Sequence, residues 1–170
     1  MLKAFTEDFK KPDINTMGAN RIRVAKDKAD LVKALVDSDS TTGPFQTYAD
    51  VMVFAAALGA KRKKRSPLAT ITKEPSPIAL EIFVSRGYDL VIKLLAIAET
   101  KDSKILSLFD EASEEKRTHI FEEYANGGLE ILRDELRGAV DYSERVLLIL
   151  STERFKKESS EGGFDLSRFL

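Results

Sequence analysis

The chain has 170 residues, of which 43% are apolar, and its formal net charge is −1. That length and apolar fraction are enough for one domain with its own buried core, and the near-zero charge gives no bulk attraction to polyanions. The sequence contains no cysteine, which excludes disulfides, thiolate catalysis and cysteine-ligated zinc within this chain.

Charge is divided unevenly between the two halves. Residues 1–85 contain 14 Lys/Arg against 10 Asp/Glu, whereas residues 86–170 contain 13 against 18. A basic first half is typical of a surface that faces an anionic ligand, and an acidic second half is then available to a protein partner or to solvent.

The polar ends of the chain frame one central domain. We expect a flexible N-terminal arm over residues 1–20, a single helical domain over 21–153, and a flexible, Gly/Ser-rich C-terminal tail over 154–170. The apolar runs are far shorter than the roughly 20 residues that span a bilayer, and the N-terminus lacks the apolar stretch of a signal peptide. The sequence therefore predicts a soluble, cytoplasmic protein with no membrane partner.

The first elements of the domain are short. Residues 21–24 alternate between polar and apolar, which indicates a strand, and residues 27–36 place their apolar side chains on one helical face. Residues 78–84 fit two structures, because they alternate like a strand but follow Ser76-Pro77, a good start for a helix. A two-stranded element between 21–24 and 78–84 is therefore an open alternative.

The most distinctive segment runs from Thr47 to Arg65. Thr47 and Asp50 have the spacing of a capping box, and residues 51–58 are apolar on every helical face, which predicts a buried helix. We expect Gly59 to close that helix in the left-handed conformation. Five consecutive cations follow, which we call the basic segment: Lys61, Arg62, Lys63, Lys64 and Arg65.

The basic segment has two interpretations. Two cations would satisfy the dipole at the end of the helix, whereas five repel one another and gain most from a partner rich in phosphates. The alternative is a solvated loop with no ligand. We predict that the basic segment binds the DNA backbone and that Arg21 and Arg23 extend the positive surface.

Helices dominate the second half. The predicted helices cover residues 88–99, 103–109, 113–125, 129–136 and 143–151. In the first of them the expected buried stripe is Leu90, Val91, Leu94, Leu95 and Ala98, and in the last it is Val146, Leu147, Ile149 and Leu150. Ser113 is the expected N-cap of the 113–125 helix. The fold class is mainly α, a compact bundle of six or seven helices.

Asn126-Gly127-Gly128 interrupts the helical pattern between residues 125 and 129. Each glycine inside a helix costs about 1 kcal/mol relative to alanine, so a break or a very close helix contact must offset that cost. The structural interpretation is a kink between two packed helices. In the functional interpretation, bare backbone N–H groups meet a phosphate or a partner chain.

Few residues have the pattern of an active site. His119 is the single histidine, and Glu114 with Lys116 and the distant Asp13 form only a weak approximation of a Mg²⁺-dependent nuclease site. The sequence has no Walker or dinucleotide phosphate loop and no nucleophile elbow. We predict a protein that is not an enzyme and that needs no cofactor or metal; a metal-dependent nuclease is a minor alternative.

Several strings together resemble one small bacterial family, the DNA phosphorothioation-associated protein 4 family, encoded beside DNA sulfur-modification (dnd) genes. The resemblance covers roughly residues 21–151. It is carried by Arg21-Ile22-Arg23, Thr47-Tyr48-Ala49-Asp50-Val51, Phe54-Ala55-Ala56-Ala57-Leu58-Gly59, the basic residues before Pro67-Leu68, and the string from Phe121 to Leu132. The resemblance implies a role in antiviral defence that depends on sulfur in the DNA backbone, beside other dnd proteins.

Two molecular roles follow from these observations. The first is a DNA-binding accessory protein, for which neutralising Lys63, Lys64 and Arg65 should reduce the salt slope of binding by up to about 3 units. A small domain that binds a long polymer gains from dimerisation, so a homo-oligomer is a further expectation. The alternative is an adaptor that holds a larger modification or restriction subunit through its acidic half and its C-terminal tip, Phe164, Leu166, Phe169 and Leu170.

Overall fold

A computed structural model describes residues 21–38 and 43–155 of the chain. Across these residues the fold is mainly α with one minor β element, as the sequence predicts. In chain order the elements are β1 (Arg21–Ile22), a 3-10 helix (Lys26–Lys28), α1 (Ala29–Ala34), α2 (Tyr48–Lys61), β2 (Ile78–Ala79), α3 (Leu80–Ser85), α4 (Asp89–Thr100), a second 3-10 helix (Ser103–Leu106), α5 (Glu111–Glu135) and α6 (Tyr142–Phe155).

The two strands form a short antiparallel sheet. Arg21 lies opposite Ala79 and Ile22 lies opposite Ile78. The ambiguous segment 78–84 therefore adopts both predicted structures, because two residues pair with β1 and the following residues form α3. Ile22 is fully buried in the core, which anchors this edge of the domain to the helices.

The start of α2 follows the predicted capping box. The Thr47 side chain accepts a hydrogen bond from the Asp50 backbone N–H, and the Asp50 carboxylate accepts one from the Thr47 backbone N–H at 2.9 Å. Asp50 also accepts hydrogen bonds from the Tyr88 hydroxyl at 2.6 Å and from Arg86 at 3.0 Å. Burial acts to raise the pKa of Asp50, but these hydrogen bonds and the Arg86 charge together lower it.

The end of α2 differs from the prediction. Gly59 does not close the helix, which continues to Lys61; the left-handed residue is Lys63, with φ of 52°. The Lys63 N–H donates to the Ala60 carbonyl at 3.1 Å and the Lys64 N–H donates to the Gly59 carbonyl at 2.8 Å. This is a Schellman motif with lysine where glycine is usual.

We expect Lys63→Gly to stabilise the protein by about 0.5 to 1 kcal/mol, because glycine adopts the left-handed conformation without the clash that a side chain suffers. Urea denaturation followed by circular dichroism measures the change. Lys61→Gly is the matched control, since it lies in the last helical turn and should destabilise by about 1 kcal/mol. A Lys63→Gly variant less stable than the wild type would contradict the left-handed geometry.

Glycines set the contact between α2 and α5, the largest helix–helix contact in the domain. α5 runs without a break through Asn126-Gly127-Gly128, so the predicted interruption is wrong. A Cβ atom at Gly128 would overlap the Ala55 carbonyl, one at Gly59 would overlap the Tyr124 carbonyl, and one at Gly127 would overlap the Lys64 carbonyl. The glycines therefore allow the two backbones to come into contact. This close packing offsets the helix-propensity cost of placing glycine inside α5.

The start of α5 also differs from the prediction. Its N-cap is Asp110, whose carboxylate accepts a hydrogen bond from the Ser113 N–H at 3.2 Å. The helix begins at Glu111, which makes Ser113 part of the first turn. Asp110 and Ser113 are both good capping residues, and the sequence pattern alone does not separate them.

The buried faces of α4 and α6 agree only in part with the predicted ones. In α4 the buried residues are Ile92 and Ala96, whereas Leu90 is 60% exposed and Leu94 is 55% exposed. In α6 Val146 and Ile149 are buried as predicted, but Leu147 and Leu150 are exposed. Both helices are apolar on more than one side, so their periodicity does not show which side meets the core.

Candidate functional site

Arg62, the second cation of the basic segment, is held by α6 and α5. Its Nε donates to the Glu153 carboxylate at 2.5 Å, and its Nη2 pairs with the same carboxylate. The Glu135 carboxylate lies 3.9 Å from Nη2. Arg62 therefore connects the end of α2 to two acidic helices.

Lys64 is held by the C-terminal half of α5. Its Nζ lies 3.0 Å from the Glu130 carboxylate, which also accepts a hydrogen bond from the Ser66 hydroxyl at 3.2 Å. Glu130 lies 3.9 Å from the Nζ of Lys28, a lysine that is almost completely buried. Glu130 thus balances two cations from different parts of the chain.

Arg65 connects α4 with α5. Its Nε donates to Glu123 at 2.5 Å, its Nη1 donates to Glu99 at 2.6 Å, and its guanidinium lies 5.8 Å from the centre of the Tyr124 ring. Burial acts to lower the pKa of Arg65, but the hydrogen bonds and charges of Glu123 and Glu99 together raise it. The Tyr124 hydroxyl donates to Glu99 at 2.5 Å, which lowers the pKa of Glu99 and raises the pKa of Tyr124.

Backbone contacts also fix the segment on α5. The Ser66 N–H donates to the Glu123 carbonyl at 3.0 Å, and the Asn126 amide donates to the carbonyls of Ser66 and Pro67 at 3.2 and 3.1 Å. These bonds argue against a loosely solvated loop, because side chains of the basic segment and the backbone of Ser66 and Pro67, which follow it, have partners in α5.

These contacts remove one reason for predicting a ligand at the basic segment. At least three of its five cations meet carboxylates of described residues, so mutual repulsion is relieved inside the domain. The partners of Arg65 and Arg62 lie 34 to 91 residues away in sequence. The uneven charge of the two halves of the sequence is the feature that could have indicated these ion pairs, because cations of the basic half pair with carboxylates of the acidic half.

Arg21 and Arg23 lie in a different place. Arg21 Nη1 donates to the Pro77 carbonyl at 3.1 Å. Arg23 makes a forked pair with Glu122, with Nε and Nη2 at 2.9 and 2.7 Å from the two carboxylate oxygens. The hydrogen bond with Glu122 raises the pKa of Arg23. Glu122 has a fully buried side chain, and sequence reasoning did not identify it as the partner of Arg23.

An open cleft of about 590 Å³ separates β1 from the first half of α5, and we call it the β1–α5 cleft. One helical face of α5 supplies its floor, and no residue of the basic segment lines it. The lining residues are Arg21, Arg23, Pro77, Ala112, Glu115, Lys116, Thr118 and His119. The seven predicted DNA-binding residues are thus divided between two neighbouring surfaces, which meet at Glu123, because its carboxylate contacts both Arg65 and His119.

The described residues that were candidates for catalysis do not form an active site together. His119 is exposed, and its Nε2 lies 3.2 Å from Glu123 in the next turn of α5. Across residues 21–38 and 43–155, no group of three or more His, Asp or Glu side chains could hold a metal ion. Asp13, the distant carboxylate of the nuclease alternative, lies outside the described residues.

Two exposed apolar surfaces stand out among the described residues. The α4 surface consists of Leu90 and Leu94, one turn apart on the helix. The α6 surface consists of Val140, Leu147 and Leu148, which line a cavity of about 720 Å³ beside the turn at residues 137–141. All five side chains are at least half exposed.

Two further predictions concern the ends of the chain and the membrane. Phe164, Leu166, Phe169 and Leu170, the predicted partner-binding tip, lie outside the described residues, as does the N-terminal arm. In the part of the chain that the structure describes, no helix combines the length and apolar character needed to cross a bilayer.

Comparison with known proteins identifies the family of this chain. Comparisons with the curated proteins and with the solved structures found no match. The family model of DNA sulphur modification system-associated protein 4 matches residues 21–169, which extends the resemblance beyond residue 151 and through most of the C-terminal tail. The match includes the basic segment, the α2–α5 glycines and both exposed apolar surfaces. The chain therefore belongs to the DNA sulphur modification system-associated protein 4 family.

Proposed function

We propose that this protein is a non-catalytic adaptor that binds another protein of the DNA sulphur modification system through the apolar surfaces of α4 and α6. The observation that carries this proposal is the exposure of Leu90 and Leu94 on a helix whose opposite side is already buried. A well-ordered helix that is apolar on both sides gains stability when a second protein covers its outer side.

Two further observations support the adaptor role. The family is associated with a DNA sulphur modification system, so a protein of that system is the natural partner. The basic segment is largely neutralised by Glu99, Glu123, Glu130 and Glu153, which reduces the positive field available to DNA.

The test is a binding titration between the full chain and each purified protein of the modification and restriction system encoded beside it. We expect at least one of these proteins to bind. We also expect that binding to weaken at least tenfold in one of two double variants, which are Leu90→Ser with Leu94→Ser and Leu147→Ser with Leu148→Ser. Surface substitutions of this kind usually change stability by less than about 0.5 kcal/mol, so folding should be retained.

A matched control separates a specific surface from general apolar character. Leu108→Ser with Phe109→Ser removes two exposed apolar side chains from the loop before α5 and should leave affinity unchanged. Deleting residues 156–170 tests the C-terminal tip independently. Unchanged affinity in the α4 and α6 variants, singly and combined, would reject the adaptor surfaces.

Direct DNA binding by the basic segment is the second candidate function. Lys63 favours it, because this lysine is exposed and has no ion pair to a described residue. Lys63→Gly removes its charge while leaving the pairs of Arg62, Lys64 and Arg65 intact, and loss of one phosphate contact should reduce the salt slope by about 0.9. Fluorescence anisotropy with plain and phosphorothioated duplexes measures both the slope and any preference for sulfur.

A further inference from the structure

We propose that the β1–α5 cleft binds a phosphate group through Arg21, Arg23, Lys116 and His119. This site is separate from the apolar surfaces of α4 and α6, and it does not depend on the adaptor role. Four nitrogen-bearing side chains, from β1, the residue after it and α5, line one cleft of about 590 Å³. Of the four, His119 is the weakest donor, because its Nε2 lies 3.2 Å from Glu123. A phosphate oxygen is a strong acceptor for such donors.

Arg23 is the fixed donor of the site. Two of its nitrogens are bound to the buried carboxylate of Glu122, and the Glu122 oxygen also accepts the Arg23 backbone N–H at 2.7 Å. The Arg23 side chain is nevertheless 43% exposed. Among the described residues Nη1 has no hydrogen-bond partner. A guanidinium held on one edge and open on the other loses little conformational entropy when it binds an anion.

Arg21 and Lys116 supply the net positive charge. Neither forms an ion pair with a described residue, in contrast to Arg62, Lys64 and Arg65 of the basic segment. Arg21 is also oriented by its bond to the Pro77 carbonyl. The charges of Arg23 and Glu122 cancel at short range, so Arg21 and Lys116 outnumber the one remaining carboxylate of the lining, Glu115, and leave the cleft positive.

Thr118 also lines the cleft but does not offer its hydroxyl to a ligand there. The residue is only 7% exposed, and its hydroxyl oxygen is itself buried, with no hydrogen-bond partner among the described residues. The site therefore depends on the exposed cations and not on Thr118.

Glu115 works against the anion and makes the proposal testable in both directions. Its carboxylate lines the cleft and interacts electrostatically with Arg23. Removing this negative charge should therefore strengthen binding, and removing the positive charge of the adjacent Lys116 should weaken it. Both side chains are exposed on one helical turn, so the two variants fold with similar ease.

The experiment uses the full chain, with inorganic phosphate in isothermal titration calorimetry and a short labelled DNA duplex in fluorescence anisotropy. We expect Lys116→Gln to weaken binding about fivefold and Glu115→Gln to strengthen it about fivefold, as one nearby surface charge typically does. Lys73→Gln, which removes an exposed cation outside the cleft, should change neither affinity.

The two probes distinguish the sources of the phosphate. The cleft is assigned to a nucleic-acid backbone if the duplex binds, inorganic phosphate does not displace it, Lys116→Gln weakens binding and Glu115→Gln strengthens it. Displacement by inorganic phosphate assigns it to a small phosphate. The proposal is overturned when the wild type binds neither probe, or when Lys116→Gln and Lys73→Gln weaken binding equally. Partner binding through α4 or α6 is unaffected by either result.

Discussion

Gly128→Ala is expected to destabilise the protein by about 3 kcal/mol or more, a large fraction of the roughly 5 to 15 kcal/mol that stabilises an ordinary domain. A Cβ atom at this position would overlap the backbone carbonyl of Ala55 on α2. Backbone atoms of a packed helix cannot rotate away as a side chain can, so the two helices must separate. Helix propensity alone would predict the opposite sign, a gain of about 1 kcal/mol.

Thermal and urea denaturation of the purified variant measure this effect, with hydrogen–deuterium exchange locating it in α2 and α5. Gly138→Ala is the control, because Gly138 has a φ of +75° but a Cβ atom added there would meet no heavy atom within 4 Å. That variant should lose about 1 kcal/mol from backbone strain alone. Equal losses of unfolding free energy in the two variants would show that α5 does not approach the backbone of α2 closely at Gly128.

Arg23→Met is expected to cost about 3 to 5 kcal/mol, more than Glu122→Met, although both remove one partner of the same pair. The difference arises from burial, because the Glu122 side chain is 0% exposed and that of Arg23 is 43% exposed. Arg23→Met leaves a buried carboxylate without its counter-charge. Glu122→Met leaves a guanidinium that water can reach, at a cost of about 1 to 3 kcal/mol, mainly from the unpaired Arg23 N–H.

A double-mutant cycle measured by urea denaturation tests this order. The double variant should be more stable than the sum of the two single losses predicts, because both charged groups disappear together. A larger loss for Glu122→Met than for Arg23→Met would contradict the burial argument and would indicate that the backbone hydrogen bond dominates the pair.

The sequence predicts the elements of this fold well where the signal is local. The capping box of Thr47 and Asp50 depends on residues three apart, and the mainly helical class depends on periodicity within single segments. The strand at residues 21–22 was also predictable, since two short alternating segments were available to pair. Boundaries were less reliable, as Asp110 and Ser113 show, because neighbouring residues offer equivalent caps.

Long-range contacts account for what the sequence did not reveal. Glu122, Glu99 and Glu153 are ordinary acidic residues in sequence, and only the tertiary fold places them against Arg23, Arg65 and Arg62. The same limit applies to glycine. Gly59 fits a helix end by local rules, but its neighbour across the α2–α5 contact gives it a different role.

The ion pairs of α6 make its attachment to the domain responsive to ionic strength. Arg62 with Glu153 and Arg145 with Glu135 are charge contacts near the surface, and salt screens such pairs. The glycine contact between α2 and α5 involves no charge and is insensitive to screening. Amide protons near Arg145 and Glu153 of α6 should therefore exchange faster as salt rises, while those of α2 stay protected. Val146 and Ile149 remain in the core, so salt loosens the ion-paired parts of α6 without detaching the helix.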